Sequence, residues 1–219
     1  MAPGRPYGCG GEAGPVSFTL YAGWKQAASR PISICEIDRE NGRIRLVYRV
    51  TGKNTGTEAF SRLHAGVPVE VLGPLGNGFP LHEAEGKRVF LMGGGIGIPP
   101  MLQTAKELNG QKTAILGYRD ELFLNDEFQA YADVCVATED GSAGTKGNVM
   151  DAIRENALEA DVIFACGPTP MLRAIKAYAE EKNIPCWISM EDVWPAALGP
   201  VLPVCANQKE IDSHSPCTQ

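Results

Sequence analysis

The apolar and polar positions of this chain follow two different patterns, and the change between them falls near Gly86. Before it, short apolar runs are separated by turn-forming residues such as Asn41-Gly42. Short strands joined by tight turns are typical of a small antiparallel β barrel. The predicted elements are strands over 16–22, 30–34, 43–50 and 67–72, a short helix over 61–65 and a loop over 73–78. Residues 1–15 are rich in glycine and proline and lack periodicity, so we expect them to be disordered or misassigned.

After Gly86, strand-like apolar runs alternate with segments that have a helical period. Predicted strands cover 89–92, 113–117, 134–138, 162–166 and 184–189, and predicted helices cover 101–108, 148–155 and 170–180. Such alternation predicts a doubly wound parallel sheet. The predicted fold class is therefore a β barrel domain plus an α/β doubly wound parallel-sheet domain. Residues 1–85 form the barrel, incomplete at its N-terminus, residues 86–190 form the α/β domain, and residues 191–219 form a tail.

A glycine-rich turn over 93–97 directly follows a predicted strand, and Pro99 and Pro100 come next. Glycine lets a backbone approach a phosphate closely, and a helix N-terminus offers N–H groups and a positive dipole end. An ordinary strand-to-helix turn without a ligand has the same appearance. Two further groups, 138–140 and 166–168, also lie at the ends of predicted strands. Because ligands of such sheets bind at the carboxyl ends of the strands, the three groups together favour a nucleotide site.

Composition narrows the possible functions. The 219 residues carry a net charge of −6, which argues against binding nucleic acid or an anionic membrane surface. No apolar run is long enough to span a bilayer, and the first residues lack the apolar core of a secretion signal, so we expect a cytoplasmic protein. The seven cysteines are scattered without a C-x-x-C spacing. This pattern predicts thiols rather than disulfides, and it contains no recognisable metal site.

Eight motifs occur in a characteristic order: RPISI, LVYRV, GT before a helix, GPLGNGFPL, GGGIGIPPM, LGYRD, TEDGSAGTKGNV and ACGPTPML. Over roughly residues 30–192, they resemble the electron transfer subunit of type B dihydroorotate dehydrogenase, in the ferredoxin reductase superfamily. The resemblance implies a ferredoxin reductase-like fold and the cofactors FAD, NAD and a [2Fe–2S] cluster. It also implies a partner, the FMN-containing dihydroorotate dehydrogenase catalytic subunit, with which the family forms a heterotetramer.

The resemblance places the two nucleotides on particular residues. It implies FAD contacts at Arg30, Pro31, Ile32, Ser33, Val47, Tyr48, Arg49, Gly56 and Thr57, and NAD contacts at Gly94, Gly95, Gly97, Asp140, Cys166, Gly167 and Pro168. An arginine can neutralise a pyrophosphate with directed N–H bonds. Arg30 is also compatible with a solvated strand-end charge, Asp140 with a loop acid, and Cys166 with a buried strand cysteine. Hydride transfer between two bound rings needs no strong acid or base, so we assign no catalytic residue.

The sequence departs from the family in its tail and in one loop. The loop over 52–57 is longer than the family's tight turn, which affects the geometry around Gly56 and Thr57. Family cluster ligands fall on Ala196, Val201 and Val204, whose side chains cannot bind iron. The codons for residues 193–205 can be chosen so that the same nucleotides, read in a neighbouring reading frame, encode the family's cysteine-rich loop. We therefore interpret 193–204 and 216–219 as local frameshifts, in the gene or its sequencing, and the weak match before Arg30 can have the same origin.

The tail should then be disordered, with residues 193–204 as a mobile apolar loop without a cluster. The predicted function is an electron-transfer flavoprotein subunit that passes electrons from dihydroorotate oxidation through FAD to NAD⁺ in pyrimidine biosynthesis. Without cluster ligands, we expect the chain to keep only an NADH-oxidising or diaphorase activity. Two alternatives stay open: a related NAD(P)H–flavin reductase subunit of another complex, and a non-catalytic remnant without cluster or flavin.

Overall fold

The computed structural model describes residues 17–21, 30–119, 121–190 and 201–204. Its first part contains the strands β1 (Ser17–Tyr21), β2 (Arg30–Asp38), β3 (Arg43–Leu46) and β4 (Glu70–Leu75), and the helix α1 (Gly56–Ser61). The strands form one sheet in the order β3-β2-β1-β4, and every neighbouring pair is antiparallel. This sheet is consistent with the predicted barrel domain.

Two predicted elements of this part have other bounds in the structure. The strand predicted over 43–50 ends at Leu46, and the helix predicted over 61–65 instead begins at Gly56. The cause of the earlier start is a helix cap. The Thr55 hydroxyl accepts the N–H of Glu58 at 3.2 Å, and the Glu58 carboxylate accepts the N–H of Asn54. The pattern T-x-x-E over 55–58 is a signal for this cap that the prediction did not use.

The second part is a seven-stranded sheet covered by helices on both faces. Its strands are β5 (Val89–Gly94), β6 (Lys112–Tyr118), β7 (Asp133–Thr138), β8 (Thr145–Lys146), β9 (Val162–Gly167), β10 (Cys186–Met190) and β11 (Val201–Val204). Its helices are α2 (Ile98–Glu107), α3 (Asn125–Phe128), α4 (Val149–Glu155) and α5 (Thr169–Lys182). The strand order is β11-β10-β9-β5-β6-β7-β8, and only β11 runs antiparallel. The predicted doubly wound parallel sheet is confirmed.

Two apolar clusters hold this sheet between its helices. Leu91, Leu116 and Phe164 belong to the cluster that includes α2, whereas Met92 and Ile163 belong to the cluster on the opposite face, with α4 and α5. Every residue of β5 and β9 is buried. Strands that are buried on both faces have continuous apolar runs, which is why the sequence identified these two strands directly.

The tail prediction is wrong for residues 201–204. They form β11, whose backbone pairs with β10 from Cys186 opposite Val204 to Ser189 opposite Val201. Valine-rich sequence favours a strand, and an edge strand tolerates Pro203 because one of its sides makes no ladder bonds. Residues 191–200 and 205–219 lie outside the described residues, as do 1–16, so the other expectations for the tail and N-terminus stay predictions.

The two sheets are joined by contacts between β2 and α2. Cys35 of β2 is fully buried in the cluster that contains Met101 and Leu102 of α2. Around this apolar contact, Ile37 donates its N–H to the Gln103 side chain at 2.8 Å, and Lys106 pairs with Glu36. The strand that begins with the predicted flavin residues is therefore attached to the helix that begins at the glycine turn.

Candidate functional site at the carboxyl edge of the parallel sheet

The glycine turn connects the central strand β5 to α2. β5 ends at Gly94, Gly95–Gly97 forms a single 3-10 turn, and α2 begins at Ile98. Gly95 has a φ of +53°, a conformation that favours glycine, and a Cβ built there would meet nothing within 4 Å. The open side of the turn therefore leaves space for a ligand to approach the backbone.

The other side of the same turn is closed by the end of β9. A Cβ on Gly97 would lie 2.3 Å from the carbonyl oxygen of Cys166, and one on Gly94 would lie 2.5 Å from the sulfur of Met171. Gly167 makes a similar approach, because its Cβ position is 3.2 Å from the backbone nitrogen of Gly94. The structure thus brings two predicted groups, 93–97 and 166–168, into direct backbone contact. Met171, which fills the space behind them, was not identified from the sequence as a site residue, although it lies in the ACGPTPML motif.

The start of α2 offers fewer donors than the sequence argument assumed. Ile98 donates its N–H to the carbonyl oxygen of Gly95, and Pro99 and Pro100 have no N–H. An ordinary helix start exposes four unpaired N–H groups, and three of the four corresponding positions here are unavailable. An anion at this edge would consequently meet the backbone of the turn rather than a full helix N-terminus, which corrects the expectation based on the helix dipole.

The third predicted group lies at the same edge, in the loop after β7. Asp140 is exposed, and its carboxylate accepts the backbone N–H of Ser142 at 3.0 Å and the Ser142 hydroxyl at 2.7 Å. These bonds lower the pKa of Asp140, and the bond from the backbone N–H has the largest effect. The carboxylate is therefore ionised at neutral pH. Thr138 beneath it is fully buried, and its hydroxyl donates to the carbonyl of Ala143 at 2.8 Å. This bond folds the loop back onto the strand and fixes the position of Asp140.

The predicted flavin residues lie on the antiparallel sheet and around α1. Ile32 and Phe60 form a small buried cluster against which Tyr48 packs, with its ring 6.2 Å from that of Phe60 in an edge-to-face arrangement. Tyr48 itself is half-buried, and Ser33 is partly exposed, whereas Arg49 is exposed. Arg30 and Pro31 belong to β2, but their side chains lie outside the described residues.

Gly56 and Thr57 are buried in the first turn of α1. The Thr57 hydroxyl accepts the N–H of Thr51 at 3.1 Å and lies 3.1 Å from the hydroxyl of Thr55. Thr55 also donates to the carbonyl of Gly52 at 2.9 Å. These bonds close the long loop over 52–57 on itself. The predicted residues Gly56 and Thr57 are therefore held in a defined position despite the extra length of the loop.

One apolar cluster connects the two predicted nucleotide sites. It contains Cys166 and Phe164 of β9, and Val47, which directly follows β3, packs against it. Cys166 is 1% exposed, which fits a small wall of the site and fits an ordinary buried strand cysteine equally well. Burial raises the pKa of Cys35 to about 11 and that of Cys186 to about 12, so both thiols are protonated at neutral pH.

Other features of the described residues lie away from this edge. Among the described residues, no group of three or more His, Cys, Asp or Glu side chains could hold a metal ion. A groove of about 450 Å³ lies at the opposite, amino-terminal edge of the sheet, where it is bordered by Arg88 and Asp133. Since Arg88 is bound there by Asp161 at 2.8 Å and by Glu159 at 2.9 Å, its charge is already neutralised. No described helix is long and apolar enough to cross a membrane.

Comparison with known structures supports the ferredoxin reductase-like fold. The structure of an NADH-dependent reduced ferredoxin–NADP oxidoreductase matches with a TM-score of 0.70 and 30% identity, over 84% of this chain and 68% of that one. A ferredoxin–NADP⁺ reductase from Plasmodium falciparum matches with a TM-score of 0.57 and 12% identity, over 85% of this chain and 81% of that one, which supports the fold alone.

Comparison with curated sequences is more specific, although no protein-family model matches the chain. The electron transfer subunit of dihydroorotate dehydrogenase B (NAD(+)) from Bacillus caldolyticus is 45% identical over 177 residues, which cover 78% of this chain and 67% of that protein. The subunit of the same name from Bacillus cereus is 39% identical over 193 residues, which cover 85% and 73%. The chain therefore belongs to the family of dihydroorotate dehydrogenase B electron transfer subunits, as its motifs predicted.

Proposed function

We propose that this chain is an oxidoreductase subunit of the kind that passes electrons from dihydroorotate oxidation through FAD to NAD⁺ in pyrimidine biosynthesis, and that without cluster ligands it retains the exchange between FAD and NAD. The relatives named above are electron transfer subunits of an NAD(+)-dependent dihydroorotate dehydrogenase. The observation that carries the proposal is the contact between the glycine turn and β9, where Gly97 lies directly against Cys166. This contact leaves one side of the turn open at the carboxyl edge of a parallel sheet, which is where such sheets bind nucleotides.

The predicted NAD residues fit this role. Gly95 provides the turn that opens to solvent, and Gly97 allows the close packing that keeps Cys166 at the floor of the site. The ionised Asp140 is an acceptor for ribose hydroxyls, since a carboxylate accepts hydrogen bonds but donates none. Cys166, Gly167 and Pro168 would line the nicotinamide side.

The predicted FAD residues fit a flavin between β2, β3 and α1. Tyr48 presents a half-buried ring beside Phe60, and the buried Gly56 and Thr57 lie at the first turn of α1. A bound FAD would supply the redox chemistry, which is exchange of a hydride with the nicotinamide. The residues of the chain hold the two rings, align them and exclude water, and none has to transfer a proton. Val47 packs on the cluster that contains Cys166, which supports two sites that share one apolar wall.

The described residues do not fit a [2Fe–2S] cluster. Such clusters are held by thiolates, whereas the corresponding family positions are Ala196, Val201 and Val204, and the described residues contain no metal-binding group. The chain should therefore oxidise NADH with an artificial acceptor, as a diaphorase does. Transfer from dihydroorotate should be very slow, because no cluster connects the flavin to the partner.

An electron transfer subunit acts with a catalytic subunit. We propose that the partner is the FMN-containing dihydroorotate dehydrogenase catalytic subunit, that the assembly is a heterotetramer, and that both subunits are cytoplasmic. The relationship to a reduced ferredoxin–NADP oxidoreductase favours one second candidate, a reductase subunit of another complex. Pull-down with each candidate partner separates the two. Binding to a ferredoxin-linked complex alone would support the second candidate.

The absorbance spectrum of the purified protein tests the proposal most directly. We expect flavin bands without the bands of an iron–sulfur cluster, and reduction of the flavin by NADH. An artificial acceptor should then be reduced, whereas dihydroorotate with the catalytic subunit should give little NADH. A colourless protein that also fails to bind added FAD would contradict the proposal and favour the non-catalytic remnant.

A further inference from the structure

We propose that Gln103 is a positioning residue for hydride transfer, because it locks the helix of the glycine turn onto the strand of the flavin residues. The inference rests on the proposed function. Gln103 touches neither predicted nucleotide site, so its effect must pass through β2 and α2. Nothing in the sequence pattern marks it, since its partner lies 66 residues away along the chain.

Both ends of the Gln103 amide are bound. Its Oε1 accepts the backbone N–H of Ile37 at 2.8 Å, and its Nε2 donates to the carboxylate of Glu107. Glu107 in turn accepts from Arg39 of the other domain at 3.3 Å. Gln103 is only 4% exposed, so water cannot replace these bonds. A buried amide with both groups satisfied has one preferred position, which is defined here by Ile37 on β2 and Glu107 on α2.

The N–H of Ile37 bonds to a helix side chain although Ile37 belongs to a strand. The described part of β1 pairs only with Arg30–Ser33, and Ile37 lies beyond that ladder. A buried backbone N–H without a partner is costly, and Gln103 supplies the acceptor that another strand would otherwise provide. The helix side chain thus continues the hydrogen bonding of the sheet across the domain boundary.

The bridge lies within about 13 Å of a residue of each predicted site. Along β2, Ile37 is about 13 Å from Ser33, at the rise of an extended strand. Along α2, Gln103 is about 9 Å from Gly97, at the rise of a helix. A rotation of about 5° at the bridge therefore displaces the two sites relative to each other by about 1 Å. Misplacement of this size costs hydride transfer much of its rate, because the reacting atoms must be aligned.

The neighbouring ion pairs cannot replace this lock. Arg45 pairs with Glu127 at 2.6 Å, but both side chains are more than 40% exposed. Lys106 and Glu36 are less exposed, yet they join two flexible side chains. Exposed pairs of long side chains adapt to small shifts and contribute little. Gln103 differs because it is buried and binds a backbone atom, whose position the sheet determines.

The test compares four variants with wild-type protein reconstituted with FAD. Gln103→Met keeps the size of the side chain and removes both hydrogen bonds. Gln103→Glu keeps the acceptor for Ile37 but places two carboxylates together. Gln103→Glu with Glu107→Gln restores the bond between positions 103 and 107, with its donor and acceptor exchanged, and keeps the acceptor for Ile37. Arg39→Ala is the matched control, since it removes an exposed contact of the same interface. Stopped-flow absorbance gives the rate of flavin reduction and the apparent Kd for NADH, and the flavin–NADH charge-transfer band reports ring alignment.

We expect Gln103→Met and Gln103→Glu to reduce the flavin at least 10-fold more slowly at saturating NADH, with a weaker charge-transfer band. The Kd for NADH and the FAD content should be unchanged. The double variant should regain most of the rate, and Arg39→Ala should retain it. A wild-type rate in Gln103→Glu, or a slow double variant that still holds FAD, would overturn the inference. If Gln103→Met does not fold, the flavin-reduction rates of Gln103→Glu and the double variant test the inference by themselves. A wild-type protein that NADH cannot reduce would instead contradict the proposed function.

Discussion

The contact of Gly97 with the end of β9 gives the sharpest prediction. Gly97 has a φ of −76°, which any residue adopts, so alanine adds no backbone strain there. Its Cβ, however, would lie 2.3 Å from the oxygen and 2.4 Å from the carbon of the Cys166 carbonyl. Both atoms are backbone, and no rotamer change removes the clash. Because ordinary contact begins at 3.4 Å, the turn and the strand end must separate by about 1 Å.

This displacement sets the expected magnitude for Gly97→Ala. Overpacking of a closed core costs roughly 1–3 kcal/mol of stability. A misplacement of about 1 Å at the site can lower the rate of a positioned reaction by about 100-fold. The effect should fall on the nicotinamide side, since the predicted flavin residues lie on the other sheet. We therefore expect FAD to stay bound while its reduction by NADH becomes roughly 100 times slower.

The assay is stopped-flow flavin reduction together with thermal unfolding, with Gly110→Ala as the matched control. Gly110 has a φ of +112° and its added Cβ would come no closer than 3.8 Å to the carbonyl of Lys87. Alanine there strains the backbone by about 1–2 kcal/mol without a clash, and it lies away from the carboxyl edge. The control should lose stability and keep its rate. A Gly97→Ala protein that NADH reduces at the wild-type rate would refute the reasoning.

Three further predictions concern stability. Lys112 donates to the carbonyl oxygens of Ala105 and Leu108 at the end of α2. Lys112→Met should therefore reduce the free energy of unfolding by about 1 kcal/mol, measured as a lower melting temperature, and Lys112→Arg should reduce it less. Thr138→Val removes the hydroxyl that pairs with the N–H and the carbonyl of the half-buried Ala143, and should cost about 1 kcal/mol in urea unfolding. The bonds from Arg88 lower the pKa of Asp161 from 3.8 to about 2. The stability that the ionised Asp161 contributes is therefore present above pH 3.8 and is lost as the pH falls to about 2. Asp161→Asn should accordingly destabilise the protein at pH 6 but much less at pH 2.

The parts of the fold that the sequence predicted are those governed by local patterns. β5 and β9 are continuous apolar runs because both of their faces are buried, and the glycine turn follows β5 because the chain must reverse there. The bounds of α4 also followed from local chemistry. Asn148 accepts the N–H of Met150 and forms a reciprocal cap with Asp151, which starts the helix at Val149. Such signals involve residues only a few positions apart.

The parts that the sequence did not predict depend on contacts between distant segments. The two-residue strand β8 is too short for any periodicity, and it exists because Thr145 and Lys146 pair with the end of β7. The bonding of Asp140 to Ser142 was likewise not visible, although its place after a strand was. Whether the predicted site residues bind the nucleotides stays a prediction, because a pattern can locate a strand end but cannot determine which side chains face each other across the domain boundary.

In the tail, the strand β11 forms although its side chains cannot bind iron. β11 is held to β10 through the backbone, and a ladder of this kind accepts Val201 and Val204 as readily as other strand-forming residues. A frameshift that replaces side chains can therefore leave an edge strand in place while it removes the thiolates that the family has at positions 196, 201 and 204. Membership in the family therefore supports the predicted nucleotide sites, whose residues are present, more than it supports the connection to the partner. Iron and sulfide analysis of the purified protein decides this point, because a stoichiometric cluster would require ligands that positions 196, 201 and 204 do not provide.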